Sequence, residues 1–337
     1  MTPLIEIRNL KKHFVLTKGV LRKKTLGVVR AVDGVSLAID QGETLGLVGE
    51  TGCGKSTLGR LILGLETPTS GDVIFQGQDS RRFSATQWKA FRRSVQVVFQ
   101  DPFSSLNPRM KIKDIVAEPL IIHRLASGPE LPRRVNELLS VVGLAAAHAE
   151  RFPHEFSGGQ RQRIGIARAL ALKPKLIILD EPVSALDVSI QAQVLNLLGG
   201  LQQEFRLTYL FISHDLSVVK HTATRVAVMY LGRVVEMGPS QELFTNPQHP
   251  YTEALLSACP IPDPQFKTRT KVILTGDVPS PLNPPPGCHF HPRCRYVEDS
   301  CRLGDPAWQY AGSESHGALC PILPFAKKPS PAAINFK

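Results

Sequence analysis

The segment Gly49-Glu-Thr-Gly-Cys-Gly-Lys-Ser56 constrains the fold of this 337-residue chain more than any other feature. It matches the pattern G-x-x-x-x-G-K-[ST], with the apolar run Thr44–Val48 before it and the helical run Thr57–Leu63 after it. In such a strand–loop–helix arrangement, glycines let successive backbone N–H groups face one anion, and the helix N-terminus adds partial positive charge. Lys55 is expected to neutralise β- and γ-phosphates and Ser56 to ligate Mg²⁺. The segment therefore predicts a site for a nucleoside triphosphate with Mg²⁺.

The rest of the chain divides into two regions that differ in their sequence pattern. Over residues 4–238, short β-like runs alternate with helical stretches, which predicts an α/β domain with a largely parallel sheet. After residue 238 proline recurs, most densely at 279–287, and proline fixes φ and lacks a backbone donor. We therefore predict an ATP-binding domain in residues 1–240 and an irregular extension in residues 241–337. The strand-like runs beyond the phosphate loop are residues 95–99, 176–179 and 207–212.

Amino-acid composition indicates the class of protein, and net charge indicates the kind of partner that it binds. Hydrophobic residues make up 42% and charged residues 20%, which is typical of a globular chain. No apolar run approaches the roughly 18 residues of a membrane span, and the first residues lack the apolar core of a signal peptide. The net charge of +11 favours an anionic partner, whether nucleotide, nucleic acid or lipid surface. Charge alone does not choose among these three.

Two adjacent acids follow the apolar run that begins at Leu176. At the carboxyl end of a parallel strand, one carboxylate can hold the metal's water shell while the next faces the γ-phosphate. Asp180 is the expected metal partner and Glu181 the expected general base for water. These two acids alone are weak evidence for a catalytic site. They become strong evidence because the chain also contains a phosphate loop.

A third motif, Phe156-Ser-Gly-Gly-Gln160, precedes a helical run at Ile164–Leu172. Ser157 is a typical N-cap residue, and the two glycines after it offer a second anion-binding helix start. Here the chain resembles the ATP-binding cassette (ABC) family, whose signature is Leu-Ser-Gly-Gly-Gln. The resemblance implies a P-loop fold with a RecA-like core, an antiparallel β subdomain and a helical signature subdomain. It also implies that two such domains enclose two ATP molecules between them.

The same resemblance assigns further roles along the chain. Gln100 resembles the glutamine that touches Mg²⁺ and water, and Asp187 belongs to the loop that crosses the dimer interface. His214 resembles the switch histidine at the γ-phosphate, and Phe14 the aromatic residue that stacks on adenine. The expected catalytic residues are Lys55, Gln100, Glu181 and His214. The residues expected to bind nucleotide or its Mg²⁺ are Phe14, Gly49, Glu50, Thr51, Gly52, Cys53, Gly54, Lys55, Ser56, Thr57, Gln100, Ser157, Gly158, Gly159, Gln160, Asp180 and Asp187.

The C-terminal region concentrates cysteine in the pattern C-x5-C-x6-C-x18-C. Zinc ribbons prefer tight C-x2-C pairs, so this spacing fits structural zinc poorly, whereas four thiolates suit a 4Fe–4S cluster. Four reduced thiols in an irregular tail are the alternative. A metal would stabilise an extension that is poor in regular structure. The cysteines concerned are Cys288, Cys294, Cys301 and Cys320.

The extension also narrows the family. Its segments Asn246-Pro-Gln-His-Pro-Tyr251 and Pro279–Cys288 resemble the C-terminal region of di- and oligopeptide importer ATPases, in which the four cysteines are associated with an iron–sulfur cluster. This implies a peripheral ATPase on the cytoplasmic face of the inner membrane. The implied partners are two transmembrane permeases, a second ABC ATPase forming a heterodimer, and a solute-binding protein.

Three other functions remain open from the sequence. Relatives with this architecture also move nickel and other small solutes, and substrate choice lies in the partner subunits. A soluble ABC ATPase acting on nucleic acid would use the +11 charge, but the interval between Gln100 and Ser157 holds no coiled coil or inserted DNA-binding domain. We therefore expect no nucleic acid. A regulatory subunit without turnover is disfavoured because both Glu181 and His214 are present.

Overall fold

A computed structural model of the chain describes residues 2–18, 24–101, 105–259, 272, 274, 276–310 and 314–322. These residues form two compact units. The first comprises the described residues within 2–4, 39–43 and 75–212, and the second comprises those within 5–38, 44–74 and 213–337. Part of the proline-rich segment that follows Cys259 lies outside the described residues. The boundary near residue 240 stays a prediction.

The secondary structure alternates along the chain as the sequence predicts. The strands are β1 (Ile5–Lys18), β2 (Lys24–Ile39), β3 (Thr44–Val48), β4 (Ser70–Phe75), β5 (Gln78–Asp79), β6 (Val95–Val98), β7 (Leu176–Asp180), β8 (Thr208–Ser213), β9 (Arg225–Tyr230), β10 (Arg233–Pro239), β11 (Gln309–Tyr310) and β12 (Gly317–Ala318). The α-helices are α1 (Lys55–Ile62), α2 (Ala85–Ser94), α3 (Ile112–Ile122), α4 (Glu130–Val141), α5 (Gly158–Leu170), α6 (Val188–Phe205), α7 (Leu216–Thr222), α8 (Ser240–Thr245) and α9 (Pro250–Ala258).

Three parallel strands form the sheet of the first unit. Val95 of β6 pairs with Leu176 of β7, and Leu176 pairs with Thr208 of β8. The first four residues of β7 and all of β8 are buried, as expected for a parallel sheet that is covered on both faces. This confirms the parallel α/β expectation and brings the carboxyl end of β7, with its two acids, to one edge of the sheet.

Helices α3, α4 and α5 pack together in the same unit. Leu120, Ala126 and Ala171 form a buried cluster there. Helix α5 begins at Gly158, six residues before the predicted start, because Ser157 caps it with a side-chain oxygen and Gln160 returns the hydrogen bond. The signature motif therefore lies at the N-terminus of a packed helix.

The second unit contains the phosphate loop and the C-terminal residues. Strand β3 pairs in parallel with β9, β9 pairs antiparallel with β10, and β12 continues the sheet beside β10. Leu231 and Gly232 join β9 to β10 with φ values of 42° and 79°, the pattern of a type I′ hairpin turn. In the part of the chain that the structure describes, no helix is long and apolar enough for a membrane span.

A buried carboxylate connects the C-terminal residues to β10. Glu236 is completely buried and accepts hydrogen bonds from the backbone N–H groups of Gln248 at 2.7 Å and His249 at 2.8 Å. The ring nitrogen Nε2 of His316 lies 2.8 Å from the same carboxylate. A buried carboxylate is stable only when its oxygens are paired in this way. Glu236 therefore joins β10, the start of α9 and the residues before β12.

We expect Glu236→Ala to lower the free energy of unfolding by about 3 kcal/mol, because it leaves two buried N–H groups and a histidine without their acceptor. Glu242→Ala is the control, since that carboxylate is 52% exposed and 3.8 Å from the other ring nitrogen of His316. Urea denaturation of both variants measures the difference. Equal stability of the two would contradict the role given to Glu236.

Candidate functional site

The phosphate loop lies between β3 and α1, as predicted, and it packs closely against β9. Gly49 has φ of 151°, and a Cβ atom at this position would lie 2.1 Å from the carbonyl oxygen of Met229. Gly54, the residue before α1, has φ of 110°. Only glycine permits both the backbone conformation and the close approach. The strand and turn therefore hold the loop in one conformation.

Lys55 lies inside this loop. Its side chain is 5% exposed, and the ammonium donates to the carbonyl oxygens of Gly49 at 2.7 Å and Glu50 at 3.0 Å. The sulfur of Cys53 is 3.8 Å away, and burial raises the pKa of that thiol. Ser56 and Thr57 follow in the first turn of α1 and are half-buried. A buried cation at a helix N-terminus is a favourable setting for a phosphate group.

The carboxyl end of β7 brings two predicted residues together. The amide nitrogen of Gln100 donates to Glu181 Oε2 at 2.7 Å. Glu181 has φ of 49°, which is uncommon for a residue with a side chain, and its N–H donates to the carbonyl of Ile212 at 2.9 Å. Local strain of this kind clusters at functional sites. Asp180 is the last residue of β7 and is half-buried.

The signature motif is a capping box. Ser157 Oγ accepts from the N–H of Gln160 at 3.3 Å, and Gln160 Oε1 accepts from the N–H of Ser157 at 3.1 Å. Gly158 and Gly159 lie between them in the first turn of α5. Asp187 is exposed and stands directly before α6. The motif therefore presents a helix N-terminus.

Two predicted residues lie elsewhere in the second unit. Phe14 is on β1, where the ammonium of Lys12 lies 4.8 Å from the centre of its ring. His214 is exposed in the short connection between β8 and α7. Their roles at adenine and at the γ-phosphate stay predictions.

All four C-terminal cysteines are free thiols. Burial, with a smaller contribution from neighbouring cysteines, raises the pKa of the Cys294 thiol to about 11 and that of Cys320 to about 12. Among the described residues, no group of three or more His, Cys, Asp or Glu is arranged to hold a metal ion. The structure therefore does not support the 4Fe–4S cluster or its zinc alternative. Strand β12 on β10 and the contacts of Glu236 stabilise the same C-terminal region.

Two residues that no motif singled out as site residues contact the phosphate loop. Arg293 forms a two-bond ion pair with Glu50, with Nη1 2.9 Å from Oε2 and Nη2 3.1 Å from Oε1. The Tyr251 hydroxyl accepts from the N–H of Glu50 at 2.9 Å. These partners are 243 and 201 positions from Glu50, so no local pattern indicates them.

The close packing of the loop makes Gly49→Ala a specific test. Its methyl group would overlap the Met229 carbonyl, so we expect the loop to shift and ATP binding to weaken at least tenfold. Gly42→Ala is the matched control, because Gly42 lies outside the loop and also has positive φ, at 85°, but a Cβ there meets no atom within 4 Å. Titration of both variants with Mg²⁺ and ATP measures the difference. Equal affinities would remove the steric argument.

Known proteins match both parts of the chain. Residues 32–184 match the ABC transporter family, and residues 235–301 match the family described as the C-terminal region of oligopeptide/dipeptide transporters. An ATP-binding cassette solved as a dimer with ADP and Pi, in a post-hydrolysis state, has a TM-score of 0.61 and 30% identity, covering 70% of this chain and 98% of that one.

Curated relatives match over nearly the whole length. The oligopeptide transport ATP-binding protein AppF of Bacillus subtilis is 53% identical, covering 94% of this chain and 96% of the relative. The dipeptide transport ATP-binding protein DppF of Escherichia coli is also 53% identical, covering 93% and 92%. The chain therefore belongs to the ABC family, in the group of oligopeptide and dipeptide transport ATP-binding proteins.

Proposed function

We propose that this chain is the ATP-hydrolysing subunit of an importer for di- and oligopeptides. The observation that carries the peptide assignment is the match of residues 235–301 to the C-terminal region of oligopeptide/dipeptide transporters. That match is separate from the match of residues 32–184 to the ABC transporter family. Relatives whose names specify oligopeptide or dipeptide transport support the same assignment.

In this proposal the phosphate loop holds the triphosphate of ATP. Lys55, now bonded to loop carbonyls, exchanges those acceptors for the β- and γ-phosphates. The oxygen donors of Ser56, Gln100 and Asp180 are of the kind that Mg²⁺ prefers, and these residues would hold the ion. When bound, Mg²⁺ neutralises charge on the phosphates. Phe14 would stack on the adenine, and the loop residues from Gly49 to Thr57 would surround the phosphates.

Hydrolysis transfers the γ-phosphoryl group to water, so catalysis consists mostly of positioning and charge neutralisation. Glu181 accepts the proton of the attacking water, and Gln100, already hydrogen-bonded to it, orients the carboxylate. His214 contributes a hydrogen bond to the γ-phosphate. The signature residues Ser157, Gly158, Gly159 and Gln160, with Asp187, would serve the ATP of a second ATPase subunit.

The proposed setting is the cytoplasmic face of the inner membrane. The chain would be a peripheral subunit on two transmembrane permeases, paired with a second ABC ATPase and supplied by a solute-binding protein. Closure of the two ATPase subunits around ATP would switch the permeases between outward and inward access. The cargo would be selected by the binding protein and the permeases.

If Glu181 is the general base, a substitution there should slow ATP hydrolysis without weakening ATP binding. Glu181→Gln keeps a hydrogen-bonding group of the same size but cannot accept a proton, so we expect ATP binding near wild type and turnover at least about 100-fold lower. Glu204→Gln, an exposed acid on α6 in the same unit, is the control. Phosphate release and nucleotide titration measure the two quantities. Normal turnover in Glu181→Gln would remove Glu181 from the base role.

The transporter assignment predicts the partners. We expect a tagged chain, solubilised from host membranes in mild detergent, to co-purify with two multi-span permeases and a second ABC ATPase. Mass spectrometry identifies these proteins, with an untagged strain as the control. Recovery with nucleic-acid-binding proteins, and without permeases, would contradict transport.

A further inference from the structure

Glu50 places a negative charge in a loop whose shape and helix N-terminus favour anions. It is the second residue of the phosphate loop, and its side chain is 26% exposed. A carboxylate beside a triphosphate repels it by an amount that grows with the charge of the nucleotide. The loop therefore needs a cation that neutralises Glu50.

Arg293 supplies that cation. Its side chain is 7% exposed, and its guanidinium donates hydrogen bonds to both carboxylate oxygens of Glu50, at 2.9 and 3.1 Å. Paired Arg–carboxylate hydrogen bonds of this kind are directional as well as charge-neutralising. Burial alone would lower the pKa of Arg293, but its hydrogen bonds to Glu50 and Tyr230 outweigh burial and hold the pKa above its usual range.

The surroundings fix Arg293 and Tyr251 in place. The rings of Tyr230 and Tyr251 are 4.6 Å apart, and the ring of Phe290 lies 5.4 Å from each. All three aromatic side chains are at most 1% exposed. The Tyr251 hydroxyl also fixes the direction of the Glu50 N–H group. Both contacts to Glu50 thus come from buried residues of the C-terminal region.

We propose that Arg293 and Tyr251 are positioning residues of the ATP site, which neutralise and orient Glu50 so that the phosphate loop accepts a highly charged nucleotide. This inference rests on the proposed function, since it assumes that the loop binds ATP. It gives the C-terminal region a direct part in nucleotide affinity. Neither residue needs to touch the nucleotide.

The test compares nucleotides of increasing charge on the full-length chain. In Arg293→Met, the unpaired Glu50 should weaken ATP binding about tenfold, ADP binding less and AMP binding least. Arg293→Lys keeps the charge without the two-bond geometry and should fall between wild type and Arg293→Met. Titration calorimetry with Mg²⁺ measures all three nucleotides, and thermal unfolding establishes that each variant is folded.

Removal of Glu50 provides the decisive second variant. If the unpaired charge causes the loss, Glu50→Gln in the Arg293→Met background should restore most of the ATP affinity. Arg295→Met is the matched control, since Arg295 lies on the same segment but pairs with Glu253 at 2.7 Å. It should bind ATP as wild type does.

Three results would overturn the inference while leaving ATP binding intact. The first is wild-type ATP affinity in Arg293→Met. The second is an equal loss of affinity for ATP, ADP and AMP in that variant. The third is a double variant that binds ATP no better than Arg293→Met. Failure of the wild-type chain to bind ATP would instead overturn the proposed function. The two failures are therefore distinguishable.

Discussion

The close contact between the phosphate loop and strand β9 is the constraint on which the rest of the site depends. A side chain at Gly49 would overlap the carbonyl of Met229, so the backbone there is pressed against the neighbouring strand. The turn after β9 adds a hydrogen bond from the N–H of Gly232 to the carbonyl of Cys53 at 2.9 Å. The loop is therefore formed before any ligand arrives, which lowers the conformational cost of binding.

The C-terminal region also supports the loop. Arg293 and Tyr251 hold Glu50, while Glu236 fixes the segment that carries Tyr251 to β10. The ring of His289 also lies against the β9–β10 turn, with Nδ1 3.3 Å from the carbonyl oxygen of Leu231. A region that the sequence presents as an irregular appendage is thus part of the packing of the nucleotide site.

Local features of the fold could be predicted because their determinants are adjacent in sequence. The loop glycines, the Ser157–Gln160 capping box and the apolar run of β7 each specify a conformation within a few residues. The pairing of Arg293 with Glu50 could not be predicted, since it joins residues 243 positions apart through a tertiary contact. Cysteine spacing is likewise insufficient to predict a metal site. Spacing limits which metal sites are feasible, but only the folded backbone decides whether the thiols reach one ion.

A structure of the 337-residue chain with ATP and Mg²⁺ would show directly how the loop holds the nucleotide. We predict that the triphosphate lies in the loop from Gly49 to Ser56 and that Lys55 Nζ leaves the carbonyls of Gly49 and Glu50 for the phosphates. We also predict that the pair between Glu50 and Arg293 persists. A triphosphate bound elsewhere, or a loop in which Arg293 has released Glu50, would contradict these predictions.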